Sequence, residues 1–251
     1  MTKSETRGNG TQASVHLVLQ GKGGVGKSFV SAILAQYFRT KSARVHCMDT
    51  DPVNATFAQY RLLEAEHLKV LRRGRINEKE FDVFVQRVCC GEGVFIVDTG
   101  ATTFVPLWNF ILENEILEMF QTHQRRVFVH SVVAGGQAMS DTLNGLERLA
   151  QTTSQKNVIV WINEYFGEVT KDGKTFEEFK IAEEYAHKLV GSVLIRDRNP
   201  QTFGDDLRLM LEQRLTFDEA IKDERFFLVS KQRLAIVRRD LYEQLDRLEI
   251  G

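Results

Sequence analysis

The segment from Gly21 to Ser28, GKGGVGKS, constrains the fold of this chain more than any other part of its sequence. It fits the phosphate-loop pattern G-x-x-x-x-G-K-[ST]. The apolar run Val15–Leu19 before it predicts a buried strand, and the apolar residues between Phe29 and Thr40 recur on one helical face. A strand, a glycine-rich loop and a helix in this order point backbone N–H groups and the positive end of the helix at an anion. The segment therefore predicts a phosphate-binding loop.

Each residue type in the loop has a chemical use in that role. Glycines adopt backbone angles that other residues avoid, so the chain can wrap closely around an anion. Lys27 supplies a mobile cation for the β- and γ-phosphates, and the hydroxyl group of Ser28 is a ligand for Mg²⁺. A glycine-rich turn without a ligand is the alternative, and the flanking strand and helix argue against it. The predicted nucleotide-binding residues of this segment are Gly21, Lys22, Gly23, Gly24, Val25, Gly26, Lys27, Ser28 and Phe29.

A further acidic residue of the predicted site, Asp98, ends an apolar strand. Four apolar residues, Val94–Val97, precede it, and this arrangement has the Walker B form. A carboxylate at the carboxyl end of a strand beside the phosphate loop holds Mg²⁺, usually through a water molecule. The sequence therefore predicts that Ser28 and Asp98 are neighbours at a magnesium site.

Apolar runs alternate with longer amphipathic stretches along the chain. This alternation predicts an α/β fold of the doubly wound type, with a mostly parallel sheet, right-handed crossovers and helices on both faces. The predicted strands are Val15–Leu19, Arg44–Asp49, Val94–Asp98, Arg126–Val133, Asn157–Asn163 and Ser192–Arg196, with a further short strand near Lys69–Leu71. The predicted helices are Lys27–Thr40, Ala55–Glu66, Asn77–Cys89, Val105–His123, Gln137–Thr152, Glu177–Leu189 and Phe203–Arg214.

Two segments interrupt this alternation. Asp172-Gly173, within residues 167–176, predicts a small hairpin that is either a flap contacting a partner or a surface insertion. Residues 230–248 carry leucine and valine at helical spacing on one side, together with basic residues. They form either a membrane-binding amphipathic helix or a helix that docks onto the sheet or a partner subunit. Acidic residues in the same segment weaken the lipid alternative.

Length and composition limit the domain number, the binding partners and the location that we expect for this protein. A chain of 251 residues suits one α/β domain, predicted over residues 15–251 after a flexible polar tail at 1–14. The formal charge of −1 provides no global field that draws the protein to nucleic acid or anionic lipid. The three cysteines argue against a disulfide framework, and no apolar run is long enough to cross a bilayer. We therefore expect a cytoplasmic protein.

Lys22 makes the loop read K-G-G-x-G-K-S, which resembles the deviant Walker A motif of the MinD/ParA superfamily of ATPases. The resemblance implies that Lys22 reaches across an ATP-dependent homodimer to the partner's nucleotide. A similar D-x-D segment ends the second strand in that family, which implies that Asp51 orients or activates the attacking water and that Asp49 lies near Mg²⁺. The fifth strand ends in Asn163, and the resemblance implies that an asparagine at this place hydrogen-bonds adenine. Lys22, Lys27 and Asp51 are the implied catalytic residues.

The segment after the Walker B strand departs from this family pattern. Many relatives have a proline-containing D-x-P-P or D-S-P-A sequence at this place, whereas residues 98–101 of this chain read DTGA. Residues 99–103 are the segment that we expect to sense the γ-phosphate. The detailed geometry of that switch does not follow from the resemblance.

Longer strings carry a closer resemblance, to the TraL-type proteins of conjugative-transfer regions on broad-host-range plasmids and to the related StbB plasmid-stability proteins. These strings are LQGKGGVGKS at 19–28, DTDPVNATF at 49–57 and RLTFD at 214–218. The resemblance implies a Mg²⁺-dependent ATPase, slow without a partner, that acts in plasmid conjugative transfer through an ATP-dependent dimer cycle. Its implied partners are conjugation or plasmid-maintenance proteins.

Several alternatives stay open at this point. The protein is either such a transfer ATPase, an ATPase that positions or stabilises plasmids, or a nucleotide-switched binding module with little turnover. A metabolic ligase shares the loop but leaves Lys22 without an explanation. Contact with a membrane is unassigned, and so is contact with DNA through Arg72, Arg73 and Arg75, for which a solvated loop is the other interpretation.

Overall fold

The structure is a computed structural model that describes residues 13–72 and 74–251. Its central feature is a seven-stranded sheet in which neighbouring strands all run parallel. The strands are Ser14–Val18 (β1), Val45–Asp49 (β2), Glu66–His67 (β3), Val94–Asp98 (β4), Arg126–Ala134 (β5), Val158–Asn163 (β6) and Leu189–Ile195 (β7). Their order across the sheet is β7-β6-β5-β1-β4-β2-β3. The predicted fold class is confirmed.

The two halves of the sheet meet at β1. The chain leaves β1 for β2 on one side, returns to β4, and then crosses to β5 on the other side of β1. His16 of β1 consequently lies opposite Ile96 of β4 and Phe128 of β5. Such a reversal opens a crevice at the carboxyl ends of the strands, where open α/β sheets bind their ligands. The glycine-rich loop follows β1 and therefore begins at that crevice.

Helices cover both faces of the sheet. Successive side chains of a strand point to opposite faces, so Leu17 and Val18 of β1 enter different cores. The helices are Lys27–Thr40 (α1), Glu78–Cys90 (α2), Ala101–Glu113 (α3), Ile116–Thr122 (α4), Met139–Thr152 (α5), Lys180–Glu184 (α6), Asp205–Glu212 (α7), Phe217–Lys222 (α8) and Leu228–Asp246 (α9). The first helix and the last three pack on one face, and α2, α3 and α4 pack on the other.

The predicted strands of the sheet are confirmed with small shifts at their ends. Val94–Asp98 and the helix Lys27–Thr40 have the predicted bounds, which are also the elements that flank the site. Near the short strand predicted at 69–71, the structure has an antiparallel pair, Leu71–Arg72 with Arg75–Ile76. The predicted tail at 1–14 falls mostly on residues outside the described part of the chain, and Ser14 already belongs to β1.

The helix predicted at Ala55–Glu66 is wrong. The structure has two 3₁₀ turns there, followed by the edge strand β3. The buried apolar side chains of this segment are Phe57, Tyr60 and Leu63. Their spacing of three residues fits successive 3₁₀ turns, which have three residues per turn. The extended backbone of Tyr60, with a ψ of 95°, separates the two turns.

Three further helices differ from their predicted spans. The helix predicted at 105–123 is two helices, α3 and α4, because Glu115 between them takes a left-handed φ of 51°. The helix predicted at 177–189 ends at Glu184, since the chain from Leu189 onward pairs with β6 as an edge strand. The helix predicted at 203–214 begins with a π turn, and its α-helical part ends at Glu212.

The hairpin predicted around Asp172-Gly173 is confirmed. Thr170–Lys171 pairs antiparallel with Lys174–Thr175, and the two residues between them have φ values of 53° and 76°. Two positive φ angles in a two-residue loop are the signature of a type I′ turn. The contact of this hairpin with a partner stays a prediction.

The C-terminal helix α9 docks onto the sheet, which confirms one of its two predicted alternatives. Its apolar side, including Leu234, Leu241 and Leu245, is buried in the core that α1 also faces. The amide of Gln244 accepts a hydrogen bond from Leu194 N at 2.7 Å and donates one to Leu194 O at 3.1 Å. These bonds satisfy backbone groups on the edge strand β7. Over the described part of the chain, no helix is both long enough and apolar enough to cross a membrane.

Candidate nucleotide-binding site

The glycine-rich loop joins β1 to α1 at the carboxyl edge of the sheet. Gly24 and Gly26 have φ values of 75° and 103°, a region that residues with a Cβ rarely adopt. Gly26 is also the N-cap of α1, and no side chain caps the helix there. The first N–H groups of a helix have no partner inside the helix, so this open end attracts an anion.

A cavity of about 480 Å³ opens beside this loop. Its walls are the loop and the start of α1, the segment after β2, the segment after β4, and the end of α7. A volume of this order is typical of small-molecule and cofactor sites. The predicted residues that line it are Gly23, Gly24, Gly26, Lys27, Ser28, Phe29 and Asp51. The other predicted site residues do not line it; they are Gly21, Lys22, Val25, Asp49, Asp98 and Asn163.

The side chain of Lys27 folds back across the loop. Its Nζ donates a hydrogen bond to the carbonyl oxygen of Lys22 at 2.9 Å, and the residue is buried. Burial lowers the pKa of Lys27, while the negative charges of Asp98 and Asp51 oppose this shift. The loop therefore holds a partly desolvated cation, which gains strongly from an anionic ligand.

Ser28 and Asp98 meet, as predicted for a magnesium site. The hydroxyl of Ser28 donates to Asp98 Oδ2 at 2.6 Å, and the hydroxyl of Ser31 donates to Oδ1 at 2.8 Å. Burial raises the pKa of Asp98 to about 7, against the effect of these hydrogen bonds. A buried carboxylate beside a hydroxyl offers the hard oxygen ligands that Mg²⁺ prefers, so the residues present fit this ion.

Sequence reasoning missed Ser31. It lies three residues after Ser28, on the same side of α1, and its side chain is fully buried. The available signal was a serine at helical spacing from the loop, in a helix whose other inward residues are apolar.

Asp49 bonds to backbone N–H groups of the segment that follows β2. Its Oδ1 accepts the N–H of Asp51 at 2.9 Å, and its Oδ2 accepts the N–H of Ala58 at 3.0 Å. Burial raises the pKa of Asp49, and these two backbone bonds oppose the shift. The carboxylate thus holds the segment after β2 in place. Its position near Mg²⁺ stays a prediction.

Asp51 does reach the cavity. Its Oδ1 accepts the N–H groups of Val53 at 2.9 Å and Asn54 at 3.3 Å, which fixes the carboxylate at the start of a turn. A Cβ on Gly100 would lie 2.7 Å from that oxygen, so the absence of a side chain at position 100 lets the carboxylate sit against the segment after β4. The structure therefore brings Asp51 and Lys27 to the same cavity.

Asn163 supports the loop from behind. Its Nδ2 donates to Val25 O at 2.9 Å, and its Oδ1 accepts the N–H of Tyr165 at 3.1 Å. Both ends of the amide are thus used within the protein, and they tie the end of β6 to the loop. The predicted hydrogen bond to adenine is not tested by this arrangement and stays a prediction.

Gln20, the residue before the loop, is a second position that sequence reasoning missed. Its Oε1 accepts the N–H of Gly21 at 2.8 Å, and its Nε2 donates to Val132 O at 2.9 Å and Thr142 O at 3.0 Å. A Cβ on Gly145 would lie 2.1 Å from Oε1, so α5 can approach this amide only because position 145 is glycine. A polar residue at the end of an apolar strand was the only signal in the sequence.

Lys22 points away from the cavity in a single subunit. Its Nζ lies 2.8 Å from Asp141 Oδ2 at the start of α5, with the two side chains 44% and 56% exposed. Exposed pairs of this kind contribute about 0–1 kcal/mol. Lys22 is therefore free to exchange this partner for another anion at little cost. Its reach across a dimer stays a prediction.

The arginines considered for DNA contact lie on the short hairpin after β3. Arg72 and Arg75 are opposite each other across its turn and are both solvent-accessible, whereas Arg73 is outside the described residues. Nothing in this placement selects DNA over a solvated loop, and DNA contact stays a prediction.

The loop, the buried carboxylate and the crevice of the parallel sheet together define a nucleotide-binding protein of the phosphate-loop class. Comparison with known proteins narrows this class. Residues 17–213 match the family described as CbiA, the CobQ/CobB/MinD/ParA nucleotide binding domain. Two proteins from Escherichia coli, each called Protein TraL, are 40% and 39% identical to this chain over 235 and 239 residues, covering 93% and 95% of it and 98% and 99% of themselves. The chain therefore belongs to the CobQ/CobB/MinD/ParA family of nucleotide-binding domains and, within it, to the family of the TraL proteins.

Solved structures agree on the fold. A chain of the MinC:MinD cell division protein complex of Aquifex aeolicus superimposes with a TM-score of 0.52 at 13% identity, covering 92% of this chain and 96% of that one. MinD of Aquifex aeolicus alone gives a TM-score of 0.50 at 15% identity, with 92% and 98% covered. At this sequence identity the structural similarity shows a shared fold and nothing further.

Proposed function

We propose that this protein binds Mg²⁺·ATP in the cavity beside the loop and hydrolyses it, and that two copies close around two nucleotides in a cycle that serves plasmid conjugative transfer. The observation that carries the proposal is the buried Lys27 ammonium group held inside an anion-binding loop, next to the Ser28–Asp98 pair. Partly desolvated groups of opposite charge, placed around a cavity of nucleotide size, support binding of a polyphosphate with its metal.

The side chains divide the work of binding and hydrolysis. Lys27 and the open end of α1 neutralise phosphate charge, and Ser28 and Asp98 hold the metal. Mg²⁺, when bound, withdraws charge from the β- and γ-phosphate oxygens. Asp51 accepts a hydrogen bond from the attacking water and orients it toward the γ-phosphate, since its carboxylate is already fixed at the wall of the same cavity.

The dimer part of the proposal concerns Lys22. Its ion pair with Asp141 is exposed, so the lysine can leave it when a second subunit brings a nucleotide close. A phosphate chain offers Lys22 several negative oxygens in a desolvated interface, which bind it more strongly than one exposed carboxylate does. ATP then closes the dimer, and loss of the γ-phosphate opens it.

The process that the cycle serves is taken from the TraL relatives. TraL-type proteins resemble this chain over nearly its whole length, which supports a role in conjugative transfer with conjugation or plasmid-maintenance proteins as partners. The experiment that identifies those partners is capture of bound proteins by the variant Asp51→Ala, which is expected to stay in its ATP-bound state.

Asp51→Ala is expected to retain ATP and to lower turnover about 100-fold, because general base groups of this kind contribute about two to four orders of magnitude. The variant then accumulates as an ATP-bound dimer. Single-turnover phosphate release, measured beside the dimer fraction from light scattering, checks both results. Asp82→Ala, an exposed aspartate of α2, is the matched control and keeps wild-type values.

Three outcomes would contradict this assignment or the proposed function. Wild-type phosphate release by Asp51→Ala would remove Asp51 from the reaction. If neither wild type nor Asp51→Ala releases phosphate with any candidate partner present, the protein is a nucleotide-switched binding module instead of an ATPase. Phosphate release that depends on a small-molecule acceptor, without an ATP-driven dimer, would instead indicate a ligase.

Lys22→Ala is expected to bind ATP within a few-fold of wild type but to stay monomeric, because the lysine acts on the other subunit's nucleotide.

Asp141→Ala releases Lys22 from its exposed pair and tightens the ATP-dependent dimer by up to about five-fold, the equivalent of about 1 kcal/mol. Sedimentation in the Asp51→Ala background measures both. The matched control is Lys41→Ala, which breaks the similarly exposed pair of Lys41 with Asp246. A normal dimer of Lys22→Ala would end the proposed role across the interface.

A further inference from the structure

Arg214 lies in the wall of the nucleotide cavity, on the side formed by the end of α7. It lines the same cavity as Lys27 and Ser28, which are nearly two hundred residues earlier in the chain. No motif in the loop or the strand ends points to this arginine. Its presence in the wall adds a second cationic side chain, beside Lys27, to the lining of the cavity.

The backbone at Arg214 is one that usually takes glycine. Its φ is 53°, and it occupies the first position after the C-cap of α7. The N–H of Leu215 bonds to Met210 O at 3.0 Å and the N–H of Arg214 bonds to Leu211 O at 3.1 Å, which is the pattern of a Schellman motif. Glycine is preferred at this place because it pays no steric penalty for a left-handed φ. An arginine here gives up some local stability to place a long cationic side chain.

The guanidinium group is positioned but not neutralised. Its Nε donates to Gln59 Oε1 at 3.2 Å, and one terminal nitrogen donates to Leu211 O. Among the described residues, no carboxylate forms an ion pair with Arg214, and its second terminal nitrogen makes no hydrogen bond. Two neutral acceptors thus fix the plane of the group, while its charge remains available to a ligand.

Tyr60 shows that this charge reaches the metal side of the cavity. Its pKa is raised to about 12, chiefly by burial, and the charges of Arg214 and Asp98 act on it in opposite directions. The hydroxyl is therefore within electrostatic reach of both the guanidinium group and the carboxylate that is proposed to hold Mg²⁺. An anion entering the cavity meets both Lys27 and Arg214, which line it.

We propose that Arg214 binds the phosphate chain of the nucleotide and so ties the end of α7 to the occupied site. This inference rests on the proposed function, since it assigns a further binding residue to the same cavity. A guanidinium group presents parallel N–H donors that match two oxygens of a phosphate group. Because the α7–α8 connection contains Arg214, nucleotide binding immobilises that connection as well.

Arg214→Gly is expected to weaken ATP·Mg²⁺ binding about 10- to 100-fold, the usual range for losing one charge-assisted contact. Without nucleotide, the Tm of this variant stays the same or rises, because glycine suits the left-handed φ at this position. Calorimetric titration and thermal unfolding measure the two effects. A role in folding alone predicts the reverse, a lower Tm with unchanged affinity, and that result would overturn the proposal.

Two further variants separate the charge from the packing. Arg214→Lys keeps a cation and is expected to recover most of the affinity that Arg214→Gly loses. Gln59→Leu removes the hydrogen bond to Nε but leaves the guanidinium group, so its ATP affinity stays within about three-fold of wild type. Equal losses of affinity in Gln59→Leu and Arg214→Gly would assign the effect to the packing of the wall and overturn the proposal.

Inorganic tripolyphosphate, used as a competitor of ATP, tests which part of the nucleotide is bound. Contact with the phosphate chain predicts that Arg214→Gly weakens tripolyphosphate by the same factor as ATP. An unchanged affinity for tripolyphosphate would place the arginine at the sugar or base and overturn the proposal. Wild-type protein that binds no nucleotide at all would instead defeat the proposed function, so the two failures are distinguishable.

Discussion

Lys27→Ala is expected to weaken ATP·Mg²⁺ binding by roughly 100-fold or more, since it removes charge-assisted contacts worth about 3 kcal/mol from a partly desolvated site. The Nζ group already lies inside the loop, 2.9 Å from the carbonyl oxygen of Lys22. Binding of a phosphate chain therefore needs no large movement of this side chain. Calorimetric titration with ATP, with and without Mg²⁺, measures the loss.

The stability of the same variant without nucleotide provides an internal check. Burial already disfavours the charged form of Lys27, as the lowered pKa of Lys27 indicates, so alanine removes a costly cation as well as one hydrogen bond. The Tm without ATP is expected to change little, while the increase in Tm on adding ATP disappears. Lys22→Ala serves as the matched control from the same loop and keeps that increase. An unchanged ATP affinity in Lys27→Ala would defeat the assignment of the site.

The parts of the site that the sequence predicts correctly are those encoded locally. The glycine pattern, the strand before it and the helix after it lie within one continuous stretch, so a single segment contains both the sequence signal and the structure. Asp98 ends a fully apolar strand, and parallel strands in one sheet bring their carboxyl ends together. The contact between Ser28 and Asp98 was therefore predictable although the two residues are 70 positions apart.

The residues that sequence reasoning missed act through contacts between distant segments. Gln20 is anchored by backbone atoms of β5 and α5, and Arg214 enters the cavity only because α7 ends beside the turns that follow β2. Neither residue has a pattern of neighbours that predicts its surroundings. A buried polar side chain is recognised once its partners are known, because the hydrogen bonds explain its burial.

The incorrect helix at 55–66 has a related cause. Phe57, Tyr60 and Leu63 are apolar at a spacing that fits both an α-helix and successive 3₁₀ turns, so periodicity alone does not decide between them. The carboxylate of Asp49 accepts the N–H of Ala58 and holds the segment close to the end of β2. A contact from outside the segment therefore selects the tighter turns, and no local propensity reports it.

Two fully buried histidines form a hydrogen-bonded chain between the central strands. The indole Nε1 of Trp161 can only donate, and it donates to His130 Nδ1 at 2.9 Å. His130 therefore carries its proton on Nε2 and donates to His16 Nδ1 at 2.9 Å, which leaves His16 Nε2 to donate to Ser14 Oγ at 3.0 Å. The tautomer of each ring follows from the single donor at Trp161. Both rings are neutral in this chain, and a proton added to either ring turns an acceptor into a donor.

The two buried histidines are expected to lower the free energy of unfolding as the pH falls from 7 to 5, while Asp98, whose raised pKa makes the native state take up a proton in the same range, acts in the opposite direction. Burial lowers the pKa of His130 to about 3 and that of His16 well below its usual value. Below a pH of about 6.5 the histidines of the unfolded chain bind protons, while the native rings do not. Acidification therefore favours the unfolded state. The contribution of the two rings to stability is present above pH 6.5 and is lost as the pH falls. At pH 5 the loss from His130 is about 2 kcal/mol, and His16 adds to it in the same direction.

Urea unfolding at pH 7, 6 and 5 measures this effect, and between pH 7 and pH 5 His130→Gln is expected to lose about 2 kcal/mol less stability, or gain about 2 kcal/mol more, than wild type. Glutamine provides an oxygen that accepts from Trp161 and an amide that donates to His16, so it replaces the buried hydrogen bonds without a group that titrates. His123→Gln, at an exposed position, is the matched control and keeps the wild-type pH dependence. A His130→Gln protein whose stability changes with pH in the same way as that of wild type would show that His130 makes no contribution to the pH dependence.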